Sequence, residues 1–299
     1  MPEIRRPALV TGGTGFAGRH LVAELGDGTL APGRGEFDLL DGDAVRAAVA
    51  RSRAGTIFHL AAHASVGVSW LDPETVVREN FAMTLNLLEA VRHEAPEAVV
   101  VVASSSELYG PPDRLPVDES APLRPQNPYA VSKAACDLLA GQYADAYGLQ
   151  IVRVRAFNQA GPGQSDKYVI GTITRQIAEA ELAGAHEAVI RTGDPDLKRD
   201  FIDIRDAARA YIAATGAPPG IYNACSGVAS SVRELVELAA RVASVRVRHE
   251  IDPERIRPND VPEVRGSAAR LEAACGWTPE IPLEQSVADA IEGWRRELG

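Results

Sequence analysis

Lysine is nearly missing from this 299-residue chain: only Lys133, Lys167 and Lys198 stand among its 31 basic side chains. Positive charge is therefore carried by arginine, which stays ionised and grips phosphate bidentately. It is also outweighed, because 41 acidic residues leave a net charge of −10. Such a chain repels nucleic-acid backbones and anionic membrane surfaces, so neither is expected as a partner. Cysteine is scarce as well. Cys136, Cys225 and Cys275 are odd in number, far apart and without a CxxC pair. That argues against a disulfide framework and a zinc site, leaving buried reduced thiols and no expected metal. No apolar run approaches the roughly 18 residues of a membrane span. Met1-Pro2-Glu3-Ile4-Arg5-Arg6 leads within a few residues into a core strand, which leaves no room for a signal peptide and predicts a cytoplasmic protein. Repeats and low-complexity tracts are absent too.

What is present is alternation. Ala8-Leu9-Val10-Thr11, Thr56-Ile57-Phe58-His59-Leu60, the run at 98–103 and Ile151-Val152-Arg153-Val154-Arg155-Ala156 read as strands. Residues 15–25, 43–51, 73–94 and 127–147 read as helices between them. Strand–helix alternation predicts an α/β fold, a doubly wound parallel (Rossmann) sheet with helices on both faces. The unbroken valines at 99–102 suit a strand covered on both sides. After about residue 160, glycine and proline cluster at Gly161-Pro162-Gly163, Gly193-Asp194-Pro195 and Pro218-Pro219-Gly220, marking loops. Further helices are expected near 167–183, 205–215, 231–243, 267–275 and 283–297. Ser230-Ser231 offers an N-cap and Gly276 a helix end. The expected organisation is a dinucleotide lobe over 1–160, with about 200–226 returning to it, and a smaller α/β substrate-binding lobe mainly over 161–299.

Thr11-Gly12-Gly13-Thr14-Gly15-Phe16-Ala17-Gly18 follows the first strand and opens a helix. Glycines at 12, 15 and 18 permit a tight turn, close approach of a pyrophosphate and close helix packing, with helix N–H groups facing the phosphates. Thr14 and Phe16 belong to the same cofactor-binding loop. The second strand is short (Thr29-Leu30-Ala31-Pro32), and Glu36-Phe37-Asp38-Leu39-Leu40-Asp41 reads as the third. Asp38, about 20 residues past Gly18, is then placed with Leu39 toward an adenine. Arg34, just past the second strand, suits a 2′-phosphate, which favours NADP with NAD as the alternative.

Tyr129-Ala130-Val131-Ser132-Lys133 puts a phenol and an ammonium on one face of a helix. Lys133 should stabilise the Tyr129 phenolate and an oxidised nicotinamide should add positive charge, both lowering its pKa toward the range of a general acid/base. Ser104-Ser105-Ser106-Glu107-Leu108-Tyr109-Gly110 lies at the C-terminal end of the valine strand, the edge where open parallel sheets bind ligands. A serine there can share a substrate oxygen with Tyr129.

Together these motifs resemble the extended short-chain dehydrogenase/reductase superfamily of epimerases and dehydratases, along essentially the whole chain. The resemblance includes Phe58-His59-Leu60-Ala61-Ala62, similar to the cofactor-lining strand end with Leu60, Ala61 and Ala62, and Asn80 in the next helix. It implies that Ser105 and Tyr129 hold the reacting oxygen, while Lys133 supports Tyr129 and the nicotinamide ribose. Ser106 and Glu107 fall where the sugar 4,6-dehydratases keep an extra acid/base pair. Asn158 in Asn158-Gln159-Ala160-Gly161-Pro162-Gly163-Gln164 is implied to touch a sugar diphosphate. Lys198-Arg199-Asp200 and Arg257-Pro258-Asn259-Asp260 resemble later nucleotide clamps, with Arg199 and Arg257 neutralising the diphosphate and Asp260 suiting guanine.

Within the superfamily the resemblance is to the branch acting on GDP-linked hexoses. The implied activity is NAD(P)H-dependent reduction of the C4 ketone of a nucleotide-linked 4-keto-6-deoxyhexose, giving GDP-D-rhamnose. A compact chain and Gly161-Pro162-Gly163-Gln164, where the dehydratases carry an arginine-rich segment, favour this over 4,6-dehydration. 4-Epimerisation and a non-catalytic cofactor-binding protein are the remaining alternatives. A homodimer through a four-helix bundle is also implied, built from 73–94 and 127–147. The second helix carries Ala130, Ala134, Leu138 and Leu139 beside small residues at Ala135, Ala140, Gly141 and Ala144.

Overall fold

The alternation folds into a wholly parallel six-stranded sheet. In the computed structural model, which describes residues 2–256 and 261–299, the chain runs β1 (Ala8–Thr11), α1 (Phe16–Leu25), β2 (Thr29–Leu30), α2 (Gly42–Ser52), β3 (Thr56–His59), α3 (Val66–Leu71), α4 (Pro73–Glu94), β4 (Val99–Ser105), α5 (Pro128–Tyr147) and β5 (Gln150–Ala156). It continues through β6 (Asn158–Ala160), α6 (Val169–Leu182), β7 (Glu187–Thr192), β8 (Lys198–Asp203), α7 (Ile204–Ala214), β9 (Gly220–Ala224), β10 (Ala229–Ser231) and α8 (Val232–Val242). Last come β11 (Arg246–Ile251), β12 (Glu263–Val264), α9 (Ala269–Cys275) and α10 (Leu283–Leu298).

The large sheet has the order β2-β1-β3-β4-β5-β9. Alternate valines of β4 divide between two cores. Val101 and Ala103 meet α1 and α7 through Leu21, Leu25 and Tyr211. Val100 and Val102 meet α2, α4 and α5 through Val49, Leu87, Val91 and Tyr143. Both faces are thus dry, which is why this strand reads as an unbroken apolar run. Strand order reverses between β1 and β3, and a doubly wound sheet opens its ligand crevice at such a point.

The remaining strands form two smaller sheets. β8 pairs with β10 antiparallel and with β6 and β12 in parallel, while β7 and β11 pair with each other. α6, α8 and α10 close over them through Ile173, Ile177, Leu235, Val287 and Ile291. Asp200 on β8 is buried and accepts the backbone N–H groups of Ser226, Gly227 and Gly266 at 2.8, 2.9 and 3.1 Å, tying the later segments to the sheet.

Helix signals in the sequence hold. Ser231 caps α8 in a capping box with Glu234, and Gly276 ends α9 in the left-handed conformation. The expected third strand at 36–41 does not form, and this is a correction. Gly33 O accepts from both Glu36 N and Phe37 N, and Asp38 O accepts from Asp41 N, so the segment is a pair of turns. Glycines at 33 and 35 and the aspartates at 38 and 41 favour turns. Only Phe37 and Leu39 reach the core, too few for a strand to bury. Among the described residues, no helix is long and apolar enough to cross a membrane.

Candidate active site

At the crevice, Gly12 adopts φ +75°, and a Cβ there would lie 2.6 Å from Ala61 N. One on Gly18 would sit 2.0 Å from Gly12 O. Only glycine allows the loop to fold this tightly against Leu60-Ala61-Ala62. Gly15 caps α1 without a side-chain bond, and the first turn holds no acid. The N–H groups of Phe16, Ala17 and Gly18 therefore have no intrahelical partner, a cradle fit for the pyrophosphate of a dinucleotide.

Arg34 stands on the turn after β2, its side chain 74% exposed and 3.9 Å from Glu79 of α4. Asp38 lies exposed on the turns that follow. Its carboxylate accepts from Leu40 N at 3.0 Å and closes its own turn, while Leu39 is buried in the core beneath.

Ser104 and Ser105 end β4, and a single 3₁₀ turn, Ser106–Tyr109, follows. Ser105 Oγ accepts from Glu107 N at 3.2 Å. Across from them, Asn127 caps α5 by accepting from Ala130 N at 2.8 Å, with Pro128 opening the helix. This cap, two residues before Tyr129, starts the helix at Pro128 and fixes its first turn against the end of β4. Lys133 follows one turn later, buried, its ammonium donating to Ala103 O at 2.5 Å.

The phenol of Tyr129 is pushed above its ordinary value, first by burial; a bond from Ser105 opposes this, while Glu107, Tyr168 and Tyr211 add to it. Among the protein's own groups, burial outweighs the opposing bond from Ser105. Lys133 is itself lowered by burial, against the pull of Cys136 and Asp137. Burial thus keeps the Tyr129 phenol protonated. Glu107 is half-buried, and its carboxylate accepts from Asn127 Nδ2 at 3.2 Å. Ser106 is buried beside it.

The later candidates converge from the smaller sheets. Asn158 opens β6, and its register partner in β8 is Phe201. Arg199 lies two residues earlier on β8, roughly 7 Å along the strand. Its guanidinium donates to Val261 O at 2.7 Å and Lys198 O at 2.9 Å. Tyr168 caps α6 without a side-chain bond, and its phenol is near enough to raise that of Tyr129. Arg257 and Asp260 lie outside the described residues.

Sequence reasoning passed over Asn127, although Asn-Pro before a helix is the signature of an N-cap and its N1 proline. It also missed His59, Thr84 and Ser132, whose polar side chains looked like ordinary strand and helix positions. A cavity of about 340 Å³ lies apart from all these groups, between Cys225, Arg265 and Trp277.

A family model described as GDP-mannose 4,6 dehydratase matches residues 35–290. The GDP-6-deoxy-D-mannose reductase of Pseudomonas aeruginosa is 36% identical over 298 residues, 97% of this chain and 97% of its own. The UDP-glucose 4-epimerase of Mycolicibacterium smegmatis is 31% identical, over 97% of this chain and 98% of its own. Among solved structures, RMD from Pseudomonas aeruginosa complexed with NADPH aligns with a TM-score of 0.87 at 33% identity, covering 97% of this chain and 99% of that one.

Proposed function

The chain belongs to the GDP-mannose 4,6-dehydratase family of extended short-chain dehydrogenases, NAD(P)-dependent enzymes of nucleotide-sugar chemistry, and on that premise we propose that it reduces the C4 ketone of GDP-4-keto-6-deoxymannose to GDP-D-rhamnose. The observation that carries this reading is the 36% identity to a GDP-6-deoxy-D-mannose reductase over nearly the full length of both chains. NADPH is the favoured cofactor and NAD the alternative; when bound, the reduced nicotinamide supplies a hydride.

The chain's own residues do the rest. The N–H groups at the start of α1 hold the pyrophosphate, and Arg34 takes the 2′-phosphate. Ser105 and Tyr129 hold the C4 oxygen, and Tyr129 gives it a proton, in keeping with a phenol kept protonated by burial. Lys133 anchors the nicotinamide ribose. Asn158, Arg199 and the first turn of α6 take the sugar diphosphate, with Arg257 and Asp260 toward the base. In this reading residues 1–160 and 200–226 make the dinucleotide lobe, and 161–299 mainly the sugar-nucleotide lobe. The place of β9 in the large sheet supports that division.

We also propose a cytoplasmic homodimer. Ala130, Ala134 and Ala140 of α5 are buried within the chain, Ala140 against α4 and Ala134 against Leu108, Tyr109 and Phe157, so those residues serve the monomer's own core. The outer faces of the same helices expose Phe81, Val131 and Leu138, the last by 60%, and these support a four-helix interface.

A second reading, 4,6-dehydration, is favoured by the family model's description and by Glu107 beside Ser106 at the strand end. One assay separates the two: GDP-mannose alone, then GDP-4-keto-6-deoxymannose with NADPH, offered to wild type and Glu107→Gln. A reductase oxidises NADPH with the keto sugar only, and Glu107→Gln keeps at least about a tenth of that rate. Consumption of GDP-mannose without added reductant, lost in Glu107→Gln by about 10²-fold or more, would establish the dehydratase instead.

A further inference from the structure

Five buried or half-buried polar side chains join the two ends of the dinucleotide cleft. Thr11, the last residue of β1, contacts His59 Nδ1 through Oγ1 at 2.8 Å. His59 Nε2 contacts Thr84 Oγ1 of α4 at 3.1 Å. The Thr84 hydroxyl donates its proton to Asn80 O at 2.9 Å. Thr84 must therefore accept from His59 Nε2–H, which leaves Nδ1 to accept from the Thr11 hydroxyl. Each hydrogen bond has one direction, and the imidazole has one tautomer. Burial, helped by the charge of Lys133, pushes His59 down to about 3 and keeps it neutral in that role.

Asn80 carries the chain onward. Its Oδ1 accepts from His63 N at 2.7 Å, and its Nδ2 donates to His63 O at 3.2 Å. These bonds grip both polar groups of one residue, just past Leu60-Ala61-Ala62. The same Nδ2 donates to Ser132 Oγ of α5 at 2.9 Å, and the Ser132 hydroxyl donates to Tyr129 O at 2.7 Å. His59, Asn80, Thr84 and Ser132 are each at most 3% exposed. Every donor in the series has an acceptor, so none of it moves without leaving a buried polar group unpaired.

From this geometry we propose that His59, Thr84, Asn80 and Ser132 are positioning residues, forming one tie that fixes the spacing between the phosphate loop and the Tyr129–Lys133 turn. The proposal rests on the dinucleotide reading of the cleft. Thr11 leads directly into Gly12, where the pyrophosphate end begins, and Ser132 holds the carbonyl of Tyr129 next to Lys133, at the nicotinamide-ribose end. A dinucleotide bridging both ends needs that spacing set in advance. None of the four side chains need touch it.

The test is a double-mutant cycle on Thr84→Val and Ser132→Ala, with His59→Phe as a further single variant. Read for each are the dissociation constant for NADPH by its fluorescence on binding, KM against kcat, and Tm. Each single change should weaken NADPH binding about fivefold, the worth of one buried hydrogen bond. The Thr84→Val/Ser132→Ala pair should lose clearly less than the product of the two singles, because the first break already slackens the tie. Losses that multiply would overturn the tie, as would a fall in Tm with NADPH affinity unchanged. Should His59→Phe fail to fold, the shape-preserving Thr84→Val still completes the cycle. Failure of the wild type to bind either NADPH or NADH would instead overturn the functional reading beneath the proposal.

Discussion

At the scale of single residues, the proposed chemistry turns on Tyr129, whose phenol burial raises most, against a bond from Ser105. Tyr129→Phe removes the proton donor but keeps the ring's packing. NADPH affinity should stay within about twofold while kcat falls by about 10² to 10⁴, the usual share of general acid catalysis. Stopped-flow turnover near the wild-type rate would refute the assignment. Arg34, exposed on the turn after β2, is proposed to read the 2′-phosphate. Arg34→Ala should raise KM for NADPH by about tenfold or more and leave NADH nearly unchanged, the loss of one charge-assisted bond being worth about 1.5–3 kcal/mol. Equal effects on both cofactors in steady-state kinetics would remove it from the 2′-phosphate site. The placement of Ser105 at the end of β4, of Tyr129 and Lys133 on the first turns of α5, and of the loop glycines before α1 was legible because fixed spacings carry it. The turns that stand in place of the strand expected around Asp38 were not legible; at 33–41 they leave only Phe37 and Leu39 to bury.

At the scale of elements, long segments were legible and short ones were not. α4 and α5 span 22 and 20 residues with caps and an initial proline, enough periodicity to fix their limits to within a residue or so. β6, β10 and β12 are three residues or fewer, and no pattern of period two can show itself in that length. They exist because β8 offers both edges to neighbours distant in sequence. The cap of α5 is the element-level feature with a functional edge, since Asn127 both starts the helix and holds Glu107. Asn127→Ala should destabilise the protein by about 1 kcal/mol, and Asn127→Ser should restore most of it by supplying a capping oxygen. Urea melts in which the Ser and Ala variants lose equally would show that the cap is not what Asn127 contributes.

At the scale of the whole molecule, stability should carry the mark of the buried imidazole. His59 lies near pKa 3 in the folded protein against an ordinary value of 6.5, so the unfolded chain binds its proton more readily. Its contribution is fully present above pH 6.5 and is lost as pH falls toward 3, by about 1.4 kcal/mol for each unit below 6.5. The carboxylates held low by partners, such as Glu89 and Glu181, lose their contribution only below about pH 5, as they approach the ordinary carboxylate range. The window from 7.5 to 5.5 therefore isolates histidine. His249, also lowered by burial, acts in the same direction, and comparison with a His59→Gln variant cancels it. Unfolding free energies from urea titration at the two pH values should show the wild type losing about 1.4 kcal/mol more than the variant across that window. Parallel losses would mean that His59 titrates normally in the folded state, and the one-directional series of bonds from Thr11 to Thr84 would then have to be abandoned. A larger loss in the wild type would show that the first half of the cleft depends on an imidazole the fold keeps neutral.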